Sequence, residues 1–473
     1  MSNSLDKLLT INGYPLDKEQ RKVVLSEDKY VMVIAGAGAG KSTTMIGKIK
    51  YLISIKKIKP SDIVAISFTN ESVNSLKESL LENGVCDVLV TTFHKLALSF
   101  IDKSNIISDN YLEYIIKEYL LSNKYNDKKA IILKAFNINS YSFVEDNVGV
   151  YVKQLTKIIN NCHTNNYQIK DFLLALKKIN HKPFWQRLSL LSMLYVIIDI
   201  YYLYIEEKES IGSYDFDDMI INATKNISNY SLSYKYIIVD EYQDTSLIRV
   251  RLLQEIIKNC NCKLVVVGDD YQSIYRFNGC DLNIFLNFKK YFKKPKVFKL
   301  KNTYRNSQEL IDISKKFILK NPYQIKKKLI SNKHLLKPIK IIYYNDYNKE
   351  RKLTSLVNDI KKQSDSYLIL GRNNFDLKNI TNKDYKYLTI HKSKGLEADN
   401  IIIINLVDSL YGLPNKVKST PIEKVLFHKE DYPYDEERRL FYVALTRAKN
   451  YVYLFVDKNN KSVFIKEVEK LLK

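Results

Sequence analysis

Arginine is scarce in this sequence, supplying only 11 of 75 basic residues, and cysteine is scarcer. The five cysteines (Cys86, Cys162, Cys260, Cys262 and Cys280) form no Cys-x-x-Cys pair, and Cys260 with Cys262 lacks a second pair at zinc-finger spacing. A disulfide framework and a cysteine-built zinc module are thereby excluded, and the thiols read as reduced ones in an intracellular protein. The opening residues MSNSLDKLLT lack a basic segment followed by an apolar one, so no signal peptide is expected. Long hydrophobic runs are also missing. The longest, Leu188 to Ile205, is interrupted by Asp199 and is expected to be a buried core helix rather than a membrane span. With no repeat and no low-complexity linker, these absences lead to the expectation of a soluble, cytoplasmic protein with no membrane partner.

What is present begins with size and charge. A chain of 473 residues exceeds one hydrophobic core, and two or three domains are expected. Hydrophobic residues make up 45% of it, too many for general disorder. The formal net charge of +23 favours a polyanionic partner, either nucleic acid or an acidic membrane surface. Abundant Lys, Asn, Ile and Tyr also mark the composition of AT-rich coding, so charge alone does not decide.

Short β-branched runs alternate with helical patterns in two blocks. The first holds YVMVI (30–34), IVAISF (63–68), YIIVD (236–240) and KLVVVG (263–268). The second holds KVFKL (296–300), IKIIYY (339–344), YLILG (367–371), YLTI (387–390), NIIIIN (400–405) and YVYLF (451–455). Strands ending in small or polar residues and followed by helices imply βαβ units, so an α/β fold with two parallel sheets is expected. Between about 104 and 211, Leu, Ile, Tyr and Lys at helical spacing replace the strands, which reads as an all-helical insertion in the first α/β domain. Ligands of such sheets bind at the carboxyl ends of the strands.

Two motifs sit there. Ala35-Gly36-Ala37-Gly38-Ala39-Gly40-Lys41-Ser42 follows the first strand and opens a helical pattern that includes Thr43. Small residues let backbone N–H groups approach phosphate oxygens, and the helix N-terminus adds positive potential. Lys41 is thereby placed for the β- and γ-phosphates of ATP and Ser42 for Mg²⁺. The strict pattern has Gly where Ala35 stands. A flexible Gly/Ala turn would share the composition, but not the preceding strand together with Gly-Lys-Ser. The second motif is Asp240-Glu241, closing an apolar strand. A lone acidic pair is usually solvated surface. At a strand's carboxyl end, downstream of a phosphate loop, the two can divide labour: Asp240 holding Mg²⁺, Glu241 polarising the attacking water.

With these motifs in place, the remaining segments resemble the UvrD/Rep-like superfamily 1 helicases across nearly the whole chain. Leu16-Asp17-Lys18-Glu19-Gln20 looks like that family's adenine-reading element, which implies a base contact for Gln20. Ser67-Phe68-Thr69-Asn70 and Thr91-Thr92-Phe93-His94 resemble its single-strand-contacting segments. Tyr214-Asp215-Phe216-Asp217-Asp218 resembles the element before the metal motif. Gly268-Asp269-Asp270-Tyr271-Gln272-Ser273-Ile274-Tyr275-Arg276-Phe277 resembles the segment coupling γ-phosphate to DNA, implying that Gln272 senses phosphate and Phe277 stacks on a base. Asn302-Thr303-Tyr304-Arg305-Asn306 implies Tyr304 against adenine and Arg305 on the γ-phosphate. Thr389-Ile390-His391-Lys392-Ser393-Lys394-Gly395-Leu396-Glu397 and Val443-Ala444-Leu445-Thr446-Arg447-Ala448 resemble the last two motifs. By that likeness Thr389 and His391 touch DNA, Glu397 touches nucleotide, and Arg447 is the arginine finger. HKSKGLEADN followed by EERRLFYVALTRA resembles the helicase IV subgroup in particular.

Physical logic bears on the same residues. Phosphate charge in a closing cleft calls for planar, always-ionised donors, for which Lys is a poor substitute. In an arginine-poor chain, Arg305 and Arg447 stand in those two places. Aromatic rings give bases a sequence-tolerant platform, for which Phe68, Phe93 and Phe277 are the candidates; any one of them read alone is as easily core.

The resemblance implies RecA-like domain 1A at 1–103 and 212–295, helical subdomain 1B at 104–211, and RecA-like domain 2A at 296–473. Gly371-Arg372-Asn373-Asn374 lies about fifteen residues before Thr389, so the large 2B insertion of bigger relatives is expected to be missing. Phe277 stands for the usual Trp, Asn278 for an expected Arg, and Thr43 where relatives often place Arg. No nuclease domain is expected after the last motif. The function implied is an ATP-dependent 3′-to-5′ DNA helicase and single-stranded DNA translocase, acting in repair, replication or recombination on single strands and duplex junctions, with room for a loading partner. An ATPase that strips proteins from single strands without unwinding is the alternative. An RNA polymerase remodelling factor ranks below both.

Overall fold

The computed structural model describes residues 8–101, 105–108, 110–364, 366–378, 380, 384–427 and 432–473, so the expected start of the helical insertion at 103–104 lies outside the described residues. Eleven strands build two sheets: β1 (Tyr30–Ile34), β2 (Ile63–Ser67), β3 (Leu89–Thr92), β4 (Tyr236–Val239), β5 (Lys263–Gly268), β6 (Lys296–Lys299), β7 (Ile339–Tyr344), β8 (Tyr367–Gly371), β9 (Tyr387–Thr389), β10 (Ala398–Ile403) and β11 (Ala448–Asp457). The first sheet runs β6-β1-β5-β4-β2-β3 and the second β7-β11-β10-β8-β9. Every pairing in both is parallel. The central strands are apolar throughout because helices cover both faces of each sheet. One layer beside the first sheet packs Ile66, Ile237 and Val266; the opposite layer packs Val33, Ala65 and Val267.

One strand departs from the sequence reading. KVFKL, expected in the second sheet, pairs with β1 as the outer strand of the first, Val297 opposite Met32. Chain order did not reveal this because β6 is the last segment before the crossing between lobes. Its composition fits an edge: Lys296 and Lys299 are exposed, and lysine on a free edge deters strand addition. The other edge, β3, is a four-residue strand that the sequence reading did not separate from the motif following it.

The insertion is helical from Tyr111 to Ser210, and its ends are tied by a short parallel bridge of Asn105–Ile106 with Ser213–Tyr214. Its core gathers Leu155, Ile159, Ile197, Ile200 and Tyr201. The Phe184–Ser210 helix is 27 residues long and apolar enough to cross a membrane, but half of its most apolar stretch is buried among the other helices. That burial supports the core-helix reading. A segment from far along the chain completes this core: Ile422, Val425 and Leu426, on the Pro421–Leu426 helix, are buried inside it. Lys157 pairs with Glu423 at 2.7 Å, and the Tyr167 hydroxyl donates to the Leu426 carbonyl at 2.6 Å.

Where the insertion returns to the first sheet, Asp215 caps the Phe216–Asn226 helix, accepting from the Asp217 and Asp218 backbone. His163, Asp215 and Asp218 come close enough to hold a cation by type, but the buried Lys208 ammonium already sits among them, 2.6 Å from Asp215 and 2.5 Å from Asp218. The acidic element that resembles the one before the metal motif thus serves as the joint of the insertion.

Candidate active site at the seam between the two sheets

The phosphate loop leaves the end of β1 and turns into the Lys41–Ser54 helix through Gly38 and Gly40, both at positive φ (67° and 72°). Close approach explains the glycines as much as backbone freedom does. A Cβ on Gly38 would stand 2.5 Å from Arg305 Cβ, and one on Gly40 would collide with the Gln20 amide. Ala35, Gly36, Ala37 and Ala39 are buried, Ser42 is exposed, and Lys41 and Thr43 lie half-buried on the first helical turn. A short segment after β6 is stitched to the loop: the Thr303 hydroxyl donates to the Ala37 carbonyl at 2.8 Å and the Tyr304 N–H to the Gly38 carbonyl at 2.9 Å.

Facing the loop, β4 ends in Asp240 and Glu241. Glu241 sits at φ 47°, a left-handed conformation that costs a non-glycine residue energy and is held here by the Glu241 N–H donating to Asp240 Oδ1. The Lys41 ammonium lies 2.7 Å from Glu241 Oε1. Burial would raise both carboxyls. For Glu241 the charges of Lys41 and Lys394 win and hold it at about 2. For Asp240 burial and the Glu241 charge win, pushing it up to about 6. A carboxyl destabilised by desolvation and an exposed Ser42 hydroxyl are oxygen donors of the kind a hard divalent cation favours.

The second lobe sends basic side chains across. Arg447, 1% exposed, donates from Nη2 to Gln272 Oε1 at 2.8 Å. Gln272 in turn donates from Nε2 to Asp269 Oδ2 at 2.5 Å. Arg305 is held by Glu397 at 2.7 Å and faces the phosphate loop through its backbone contact. The Lys394 ammonium pairs with Asp244 and donates to the Gln272 carbonyl at 2.7 Å. The intervening segment is itself a wedge, with Ile274 fully buried in the second lobe's core.

At the outer end of the loop, Asp17 and Gln20 form a reciprocal cap on the Lys18–Leu25 helix. Asp17 Oδ2 also accepts from the Tyr304 hydroxyl at 2.9 Å and from Asn302 at 3.0 Å. Tyr304 is 62% exposed. The exposed Tyr304 ring and the buried Gln20 amide thus both border this end of the loop, Tyr304 against Gly38 and Gln20 against Gly40.

On the other side of the seam lie aromatic groups. Phe277 is 48% exposed and meets the His391 ring edge-on at 5.3 Å. Tyr275 donates to the His391 carbonyl at 3.1 Å. Burial, with Arg372 and Lys394 adding to it, pushes the His391 imidazole down to about 4, so it is neutral and its ring is free of charge repulsion with those bases. Thr389 is buried and its hydroxyl accepts from the Lys392 N–H. Phe68 is half-buried under the Arg249 guanidinium, 4.5 Å from the ring centre, while Asn70 is exposed on the first turn of its helix. His94 stacks edge-on against Phe216 at 5.6 Å, and burial followed by the Arg249 charge lowers it to about 4. Phe93 corrects the sequence reading: it is 3% exposed in the core beneath the first sheet, with no face for a base. Its motif passes from the end of β3 into a helix that Phe93 opens, Thr91, Thr92 and Phe93 are all buried, and nothing in the residue type tells a ring facing the core from one facing a cleft.

Four further residues belong to this seam and were not singled out from sequence: Asp17, Arg249, Lys327 and Lys394. Lys327 is the most buried of the bridges. Its ammonium donates to the Ala35 carbonyl at 2.9 Å, pairs with Asp269, and lies 2.6 Å from Asp270. One of 64 lysines carries no signal by type; Asp17 and Lys394 did lie inside recognised motifs.

The comparisons with known proteins agree with this geometry. The UvrD/REP helicase N-terminal domain family matches residues 16–293 and the UvrD-like helicase C-terminal domain family matches residues 383–459. The chain is 26% identical to DNA helicase IV of Escherichia coli over 98% of its length and 71% of that protein. It is 29% identical to a probable DNA helicase II homologue of Mycoplasma capricolum, covering 89% of the chain and 59% of the relative. It is 30% identical to the ATP-dependent DNA helicase Rep of Buchnera aphidicola (subsp. Schizaphis graminum), covering 73% and 51%. The chain thus spans between half and seven-tenths of these relatives.

Proposed function

The chain belongs to the UvrD/REP helicase family, and from that premise we propose that it is an ATP-driven motor that moves 3′-to-5′ along single-stranded DNA and separates strands. The observation that carries the proposal is the Arg447–Gln272 contact at 2.8 Å, which joins the second lobe to the segment that also bears Phe277. A group that meets nucleotide and a group that meets DNA thereby lie five residues apart on one wedge.

The lobes we assign are 1–103 with 212–299 for 1A, 104–211 for 1B and 300–473 for 2A, the 1A boundary following β6. ATP lies with its base between Tyr304 and Gln20 and its phosphates on the loop of Ala35 to Thr43. Lys41 exchanges its Glu241 partner for the phosphates, which releases Glu241 to take a proton from the attacking water. Ser42 and Asp240 hold Mg²⁺, which neutralises charge on the phosphate oxygens when bound. Arg305 and Arg447 close on the γ-phosphate from 2A, with Glu397 steering Arg305 until then. As Arg447 trades Gln272 for phosphate, the Gln272–Phe277 segment shifts and the base stack on Phe277 and His391 moves with it. Phe68, Asn70, His94 and Thr389 border that track on the 1A and 2A sides.

A second reading has its own observation. β8 pairs directly with β9, Gly371 opposite Thr389, leaving little chain for a 2B subdomain. A motor without that element is suited to moving on single strands, or stripping proteins from them, and to unwinding with a loading partner at a junction. The test is ATP hydrolysis with and without single-stranded DNA, beside strand displacement on duplexes tailed at 3′ or 5′. Stimulated hydrolysis with displacement from the 3′ tail alone supports the first reading; stimulation without displacement supports the second. No stimulation by DNA defeats both.

A further inference from the structure

The tip of the helical insertion exposes two neighbouring aromatic rings. His181 to Leu188 are eight consecutive exposed residues, with Phe184 at 84%, Trp185 at 78% and Leu188 at 59% exposure. Exposed tryptophan is costly, and this is the only Trp in the chain. The surrounding charge is of one sign. No Asp or Glu occurs from 172 to 198 or from 128 to 144, and the two stretches meet at this tip, where the Ser189 hydroxyl donates to the Ala135 carbonyl at 3.2 Å. Lys134, Lys177, Lys182 and Arg187 are exposed within these two stretches.

We infer that this tip is a second binding surface for single-stranded DNA, Trp185 stacking on an unpaired base while the basic side chains take the flanking phosphates. The inference rests on the single-strand motor reading above. Bare π-faces in basic stretches match unpaired bases on a phosphate backbone, whereas a duplex hides its base faces. Position agrees as well. Thr164 packs on Gly279, two residues from Phe277, and the following Ile169–Asn180 helix, about 18 Å long, runs from that contact towards the tip. A strand followed from Phe277 along that helix would meet Trp185 just beyond its far end. The 1B tip then supplies a grip outside the seam, which holds DNA while the seam is open between ATP turnovers.

With one Trp in the chain, intrinsic fluorescence reports on this surface directly. The full chain is titrated with oligothymidylate, with a blunt hairpin duplex and with anionic phosphatidylserine vesicles, beside anisotropy of a labelled oligothymidylate. Quenching by oligothymidylate ahead of the duplex, about tenfold weaker single-strand binding for Trp185→Ala, near-native binding for Trp185→Phe, and a salt slope lowered by about one for Arg187→Ala are expected. Single-strand binding seen by anisotropy with unchanged fluorescence and unchanged Trp185→Ala affinity overturns the inference and leaves the motor reading standing. Absence of single-strand binding by both signals removes the motor reading itself. Quenching by duplex or by vesicles alone, or a Trp185→Ala change in oligomeric state without a change in DNA affinity, assigns the tip to another occupant and overturns it.

Discussion

The two sides of the seam are built from different materials. The side proposed for nucleotide is a lattice of buried and half-buried charge: Lys41 on Glu241, Lys327 on Asp269 and Asp270, Lys394 on Asp244, Arg447 on Gln272. The side proposed for DNA is aromatic and half open, with Phe277, His391, Tyr275 and Phe68. The difference suits the ligands proposed for each side. Phosphoryl transfer needs fixed charge where negative charge develops, and fixed charge is held only when every member is paired. A strand that must slide needs contacts that are similar for every base and easily exchanged, which stacking supplies.

The largest effect that would break this contrast is on the charged side. Arg447→Lys is expected to lower ATP turnover by about 10³–10⁵-fold while single-strand affinity measured by anisotropy stays near native; a parallel loss of affinity would merge the two sides into one. Phe93→Ala, on the core side of the aromatic boundary, is expected to cost about 3–5 kcal/mol of stability in denaturant unfolding. Phe277→Ala should leave the unfolding midpoint unchanged and weaken single-strand binding by about 1–3 kcal/mol. A stability loss there without an affinity loss would put Phe277 in the core. The smallest effect concerns the joint of the insertion. Burial would push His163 down, but Asp215 and Asp218 carry its imidazole up to about 9 from 6.5. A raised folded-state pKa gives stability that is full below pH 6.5 and is lost as pH rises through 9. Between pH 7 and pH 8 the loss should be about 1 kcal/mol, and a His163→Gln variant should show no such slope.

The same contrast sets what was legible in the sequence. Charged groups in the phosphate loop and at the end of β4 must occur at fixed spacing after a strand, so Lys41, Asp240 and Glu241 could be read directly, and Arg305 and Arg447 stood out against a lysine background. Phenylalanine serves core and platform alike. Phe277 and Phe93 both lay in recognised motifs, and only the fold separates a ring at 48% exposure from one at 3%. Lys327 was invisible for a related reason: its partners are a carbonyl and two carboxylates from distant segments, and no local pattern announces a long-range bond. The strand β6 was recognised as a strand but not as a member of the first sheet, because pairing partners depend on the path of the chain between lobes.

The Pro421–Leu426 helix buried in the insertion gives the two lobes a second point of attachment, away from the seam. Two bodies joined at one place can twist, tilt and slide. Joined at two separated places, they keep chiefly the rotation about the line between them, as a door does on two hinges. Any opening and closing of the proposed motor would then be confined to one swing along one arc. The geometry of a single step would be set by where that axis lies rather than by the strength of any one contact with the nucleotide.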